Sequence, residues 1–129
     1  MAAEQSTLHV EPVAVEDTDS LLFRLTGELD LTTVDRLRAV VGPAFGSGRE
    51  IMLDLSRLSF CDSTGVGTFV WLHRQATAGG GRLLLAAPRR QVREVLKISG
   101  VDRAIPVFGR NPLAGRITTV PPRNGDAAG

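Results

Sequence analysis

Apolar residues recur along this chain with two periods, and the changes from one period to the other mark its elements. Leu21, Phe23 and Leu25 alternate with Leu22, Arg24 and Thr26, which predicts a strand with one clearly apolar face. Upstream, Leu8 and Val10 share one parity and Val13 and Val15 the other, a slip across Pro12 that predicts an edge strand with a bulge. The polar stretch Glu16 to Asp19 between them supplies the turn of a hairpin. Val34, Leu37, Val41 and Phe45 then repeat at helical spacing, introduced by Thr32 with Asp35 three residues on, a weak capping box, and ended by Gly46 and Gly48.

Ile51 to Leu55 is a nearly continuous apolar run, as expected of a central strand covered on both faces. A connection from Ser56 to Asp62 leads into a second helix with Val66, Phe69, Val70 and His73 on its stripe, closed by Gly79, Gly80 and Gly81. Arg82 to Ala87 reads as another strand. Pro88 opens a third helix with Val92, Val95 and Leu96 inward and Gly100 as its left-handed stop, and Ala104 to Phe108 reads as a last short strand. Strand, helix, strand with short links is the crossover unit that sets neighbouring strands parallel and almost always right-handed. The expected fold is therefore α/β: one domain over residues 8–108, with a mixed sheet of about five strands, an N-terminal hairpin and three to four helices. Residues 1–7 and 109–129 carry too little apolar content to pack and are expected to be disordered tails.

Charge narrows the function little. The chain has 129 residues, enough for one core, and its 15 basic and 14 acidic side chains nearly cancel, so no long-range field gathers nucleic acid or an anionic membrane. Arg82, Arg89, Arg90 and Arg93 are read as a solvated face that could lie together, because a nucleic-acid surface would add aromatic stacking platforms or a known motif. The single cysteine, Cys61, excludes an internal disulfide and fits a reducing compartment; it is read as a small apolar contact in preference to a redox sensor. Met1 to Thr7 lacks the pattern of a signal peptide and no apolar run suits a membrane span, so a cytoplasmic location without membrane contact is expected. One cysteine and two distant histidines make no metal site, and neither metal nor cofactor is expected.

The informative stretch is Asp54-Leu55-Ser56 followed by Phe60-Cys61-Asp62-Ser63-Thr64-Gly65-Val66-Gly67. Asp62 or Ser63 caps the second helix, whose unpaired N–H groups and positive dipole end welcome a phosphate; on spacing alone, Ser63 is equally an ordinary N-cap. The stretch resembles the signature of the anti-sigma factor antagonist family, the STAS domains, and Leu25-Thr26-Gly27-Glu28-Leu29-Asp30 is similar to that family's second landmark. The resemblance spans residues 8–108. It implies that Ser63 is phosphorylated by a cognate anti-sigma factor that is also a serine kinase, that the unphosphorylated form binds this partner and frees the sigma factor, and that a phosphatase restores it. The implied partner surface is Glu28, Leu29, Asp30, Phe60, Asp62, Ser63, Thr64, Gly65, Val66 and Gly67, extended over the outward face near Thr68 and Arg74. Thr64 departs from the serine often found there. A monomer or weak dimer that is not an enzyme is implied.

Competing readings have less support. The hydrolase elbow needs glycine where Cys61 stands, and His73 lies ten residues beyond Ser63, roughly 15 Å at about 1.5 Å per residue, with His9 on the first strand. A phosphoaspartate receiver using Asp54 would need an acidic pair for magnesium, but Asp17 and Asp19 fall in a turn. Gly65-Val66-Gly67 is only a fragment of a dinucleotide fingerprint. A STAS domain that scaffolds a larger complex without switching remains the main alternative.

Overall fold

The computed structural model describes residues 6–118. Strand β1 (Leu8–Val13) pairs antiparallel with β2 (Leu21–Leu29), and β2 runs parallel to β3 (Glu50–Cys61), β3 to β4 (Arg82–Ala86), and β4 to β5 (Val107–Phe108). The helices are α1 (Val34–Val41), α2 (Ser63–Ala78) and α3 (Arg90–Ser99), with short 3₁₀ turns at Gly42–Ala44, Val101–Arg103 and Ala114–Arg116. The mixed five-stranded sheet, the hairpin and three helices are those the sequence predicts.

Strand order follows chain order across the whole sheet. Each crossover therefore steps in the same direction, and with a common handedness every helix falls on one face. Phe23, Leu25, Ile51, Leu53, Leu55, Leu83 and Leu85 point to that face and meet Val34, Leu37 and Val41 of α1, Phe69, Leu72 and Ala76 of α2, and Val92 and Leu96 of α3. The α2 stripe is rotated from the predicted one: Gly65, Val66, Thr68, Phe69, Leu72 and Ala76 are buried, while Val70 and His73 are only half-buried at its margin. Gly100 adopts φ +77°, the left-handed stop expected for α3.

Such one-sided winding leaves the opposite face of a mostly parallel sheet bare, and parallel strands tolerate that poorly. Here residues 109–118 cover it. Leu113 is buried against Leu22, Met52, Leu84 and Ala86, flanked by Val13, Val15 and Ile117. The segment is stitched down by Glu16 N–H to Arg116 O at 2.9 Å, Thr118 N–H to Ala14 O at 2.9 Å and an isolated bridge between Val15 and Ile117. The expected tail from 109 onward is thus ordered as far as 118, and of the expected tail 1–7, Thr7 is held by its carbonyl accepting the Glu28 N–H at 2.9 Å; the expectations for 1–5 and 119–129 lie outside the described residues. The same face explains the parity slip at Pro12. β1 pairs with β2 in unbroken register from Leu8↔Gly27 to Val13↔Leu22, so no bulge exists; Leu8 serves the helical face and Val13 the covered opposite face.

Two other boundaries differ. The weak capping box does not form: Asp35 is exposed, and α1 begins after Thr33, whose side chain makes no cap bond. Residues 56–61 of the predicted link are the continuation of β3, held by Thr26↔Arg57, Gly27↔Leu58, Glu28↔Phe60 and Leu29↔Cys61 with two register shifts, and Asp62 starts α2 as its cap. β5 is shorter than predicted because Ala104 to Pro106 form the exit of a 3₁₀ turn. Arg82 pairs with Glu50 at 2.7 Å at the opposite end of the sheet from Arg89, Arg90 and Arg93, so the four arginines do not form one patch.

Because Leu113 is the main apolar anchor of the covering segment, Leu113→Ala should lower unfolding free energy by about 2 kcal/mol in urea titration, through lost burial and the void left behind. A variant as stable as the parent would mean the segment contributes nothing to the core.

Candidate functional site

The long pairing of β2 with β3 carries the strand ends Leu29 and Cys61 side by side, so the β2–α1 turn and the start of α2 meet at the C-terminal edge of the sheet. Asp62 N–H donates to Leu29 O at 3.3 Å, joining the two loops directly. On one side, the Asp30 carboxylate accepts from the Thr32 amide at 2.9 Å and the Thr32 hydroxyl at 2.7 Å. The Thr33 hydroxyl donates to Glu28 O at 2.8 Å and accepts the Asp30 amide at 3.0 Å, so this turn has a fixed shape. The hydroxyls of Ser6 and Thr32 hold the Asp30 carboxyl below its ordinary range, and it stays ionised at neutral pH.

On the other side, Asp62 is the N-cap of α2. It has extended backbone geometry, and its carboxylate accepts the Gly65 amide at 3.0 Å. Ser63 occupies the first helical position with its side chain exposed. The cap thus belongs to the aspartate, the serine hydroxyl faces solvent, and the Ser63 and Thr64 amides lie in the first turn, where no intrahelical partner exists. Gly65 is required by close approach: a Cβ there would stand 2.7 Å from Cys61 Sγ and 3.0 Å from the Leu29 side chain. Gln91 of α3 brackets Cys61, accepting its amide at 3.2 Å and donating to its carbonyl at 3.5 Å, and so ties α3 to the same junction.

The predicted surface divides in two. Glu28, Asp30, Phe60, Asp62, Ser63, Thr64 and Gly67 are exposed or half-buried around the tip. Leu29 and Gly65 are sealed beneath it and shape the surface instead of presenting it, while Val66, nearly buried, reaches it only at the floor of a groove. Thr68 is also turned inward, 1% exposed with its hydroxyl bonded to Thr64 O at 3.0 Å, so the outward face expected there begins instead with Gly67; Arg74 is exposed as expected. His73 and His9 take no part in the site.

Two contributors escaped the sequence reading. Leu31 and Ile98 are 73% and 86% exposed, large apolar side chains on the β2–α1 turn and on α3; Phe60, at the end of β3, is 41% exposed. A groove of about 240 Å³ runs from Ser63 and Val66 to Val95, Ile98 and Ser99. Ile98 stands outside the inner stripe of α3, and that mismatch was a usable signal.

Asp54 stands elsewhere. It is 4% exposed in the middle of β3 on the face opposite the helices, with Oδ2 3.5 Å from Arg24 Nε and 3.4 Å from Asn111 Nδ2, and Oδ1 accepting the Ser56 amide at 2.9 Å. A receiver's acceptor must be open at a strand end; this carboxylate is covered and structural. Among the described residues no cluster of three or more His, Cys, Asp or Glu side chains could hold a metal, and no helix is long and apolar enough to cross a membrane.

This mixed five-stranded sheet with three helices is a fold shared with known proteins. The chain matches the family model of the STAS domain over residues 11–111, and it belongs to that family. It is 36% identical over 85 residues to the anti-sigma F factor antagonist of Lysinibacillus sphaericus, covering 64% of this chain and 73% of that protein. Its fold superposes on the unphosphorylated anti-sigma factor antagonist SpoIIAA with TM-score 0.62 at 32% identity, over 78% of this chain and 87% of that one. The phosphorylated form of SpoIIAA, a Bacillus cell fate determinant, gives TM-score 0.56 at 31% identity over 78% and 90%. Within the STAS proteins the chain groups with the anti-sigma factor antagonists.

Cys61 is fully buried at the junction, and its desolvation, with the Asp62 charge beside it, pushes the thiol up to about 12. The native thiol should resist iodoacetamide at pH 8 and react once urea unfolds the chain. Because the folded pKa is raised, the thiol's contribution to stability is complete below about pH 9, where the unfolded thiol begins to ionise, and is lost as pH climbs toward 12. Replacing Cys61 with alanine should flatten that alkaline loss.

Proposed function

We propose that this protein is a phosphorylation-controlled antagonist of an anti-sigma factor that is also a serine kinase, with Ser63 as the acceptor. Unphosphorylated, the tip docks on the anti-sigma factor and releases its sigma factor; phosphorylated, it lets go, and a phosphatase resets it. The protein acts as a binding switch in the cytoplasm and performs no catalysis of its own. The observation that carries this reading is the division of labour at the helix start: Asp62 satisfies the cap, which leaves Ser63 exposed on the surface beside a groove lined by Val66, Val95 and Ile98.

The energetics suit a switch. An apolar groove with the exposed Ile98 beside a polar centre favours a protein contact. A phosphate brings a charge of about −1.5 to −2 beside Asp62, with Glu28 and Asp30 on the neighbouring strand end and turn. In an apolar contact that charge must be desolvated against like charges, whereas in the free protein water and the first-turn amides accommodate it. A hundredfold change in affinity needs about 2.7 kcal/mol, within reach of one such group.

The test uses each anti-sigma factor encoded in the same genome, purified and titrated with wild-type protein, Ser63→Ala and Ser63→Glu, with and without ATP. Wild type and Ser63→Ala should bind one of them alike without ATP, ATP should release wild type only, and Ser63→Glu should bind at least tenfold more weakly. Equal binding by both variants would favour a non-switching scaffold and reject the switch.

A further inference from the structure

One exposed feature lies outside the tip. Trp71, the sole tryptophan, is on the outward side of α2 and 37% exposed. Its ring is wedged in place: Phe45 meets it edge-on with centroids 5.7 Å apart, and the Arg38 guanidinium stands 5.0 Å from its centroid. Among the described residues, Arg38 is otherwise engaged only by a loose pair with Asp35 at 3.9 Å. A rigid, half-exposed Trp beside an Arg loses little side-chain freedom on binding, and these two residue types dominate the energetic centres of protein interfaces.

The positions between this cluster and the phosphoacceptor are also unusual. Residues 63, 67 and 71 are four apart and so share one helical face, with Ser63 and Trp71 separated by roughly 12 Å along the axis. Between them Gly67 is exposed inside the helix, and a Cβ there would meet nothing within 4 Å. Packing within the fold therefore gives no reason for glycine, which weakens a helix interior. What it supplies is bare backbone, open to a close-lying neighbour. Charge also changes sign along the strip: Glu28, Asp30 and Asp62 lie about the tip, whereas Arg38 stands over the Trp71 ring and the exposed Arg74 follows it by three residues on the same helix.

We infer that Trp71, with Arg38 and Phe45, is a second anchor for the anti-sigma factor kinase, and that this partner lays an apolar side chain flanked by carboxylates against the indole while its active site reaches Ser63. The inference rests on the function proposed above. One standard interface, about 800 Å² on each partner, spans both points. The opposed charges at the two ends fix which way round the partner sits.

The experiment measures, for the anti-sigma factor that binds wild type, both affinity and the kinetics of Ser63 phosphorylation for Trp71→Ala, Trp71→Phe and Arg38→Glu, with thermal melting to confirm folding. Trp71→Ala and Arg38→Glu should weaken binding at least tenfold and raise KM by a similar factor with kcat within about twofold of wild type, and Trp71→Phe should restore most of the affinity. Should Trp71→Ala fail to fold, Arg38→Glu, a surface change, decides alone. Wild-type Kd and KM in both Trp71→Ala and Arg38→Glu would overturn the second anchor while leaving Ser63 switching intact. If no anti-sigma factor binds wild type, both readings fall together.

Discussion

The parallel pairing of β2 with the full length of β3 is the constraint on which the rest depends. β3 runs twelve residues, and its last third pairs with the end of β2 through two register shifts. That extension brings Leu29 beside Cys61, lets Asp62 N–H reach Leu29 O and sets the first turn of α2 against the β2–α1 turn. Had β3 ended at Leu55, as its apolar run suggests, α2 would begin away from Asp30 and Leu31, and the two distinctive motifs would not form one surface.

Packing at this junction is tight where it must be and open where chemistry is proposed. Leu29, Cys61 and Gly65 are sealed, and neither a larger residue at 65 nor a thiolate at 61 fits there. Ser63, Phe60 and Leu31, near them in the chain, are exposed, as is Ile98 across the groove from Ser63. The cap is supplied by a residue other than the acceptor, so a charge on Ser63 adds to the helix start without removing a bond that holds it. Coupling on the proposed reading is therefore local: electrostatics at one surface changes, and no element needs to move.

Much of the fold was legible because its signals are local. The stripe Val34, Leu37, Val41, the inward Val92 and Leu96, and Gly100 at a left-handed stop were each readable from spacing. Misreadings arose where a distant partner decides the outcome. Residues 56–61 look like a loop because only Leu58 and Cys61 turn inward, and their strand character comes from β2. Residues 109–118 look too polar to order, but Leu113 and Ile117 suffice when a bare sheet face waits for them. Val13 and Val15 seemed out of phase for the same reason. At the site, Asp62, Ser63 and Asp30 were legible as motif residues, while Leu31 and Ile98 were not, since an exposed apolar residue acquires meaning only from what stands beside it.

On the proposed reading, charge on Ser63 changes the surface and spares the fold. Protein carrying genetically encoded phosphoserine at position 63 can be compared with the unmodified form by amide NMR and thermal melting. Shift changes should be confined to residues 28–33, 60–67 and the facing part of α3, with an unchanged unfolding midpoint. Shifts spread through the core strands, or a midpoint lowered by several degrees, would contradict it.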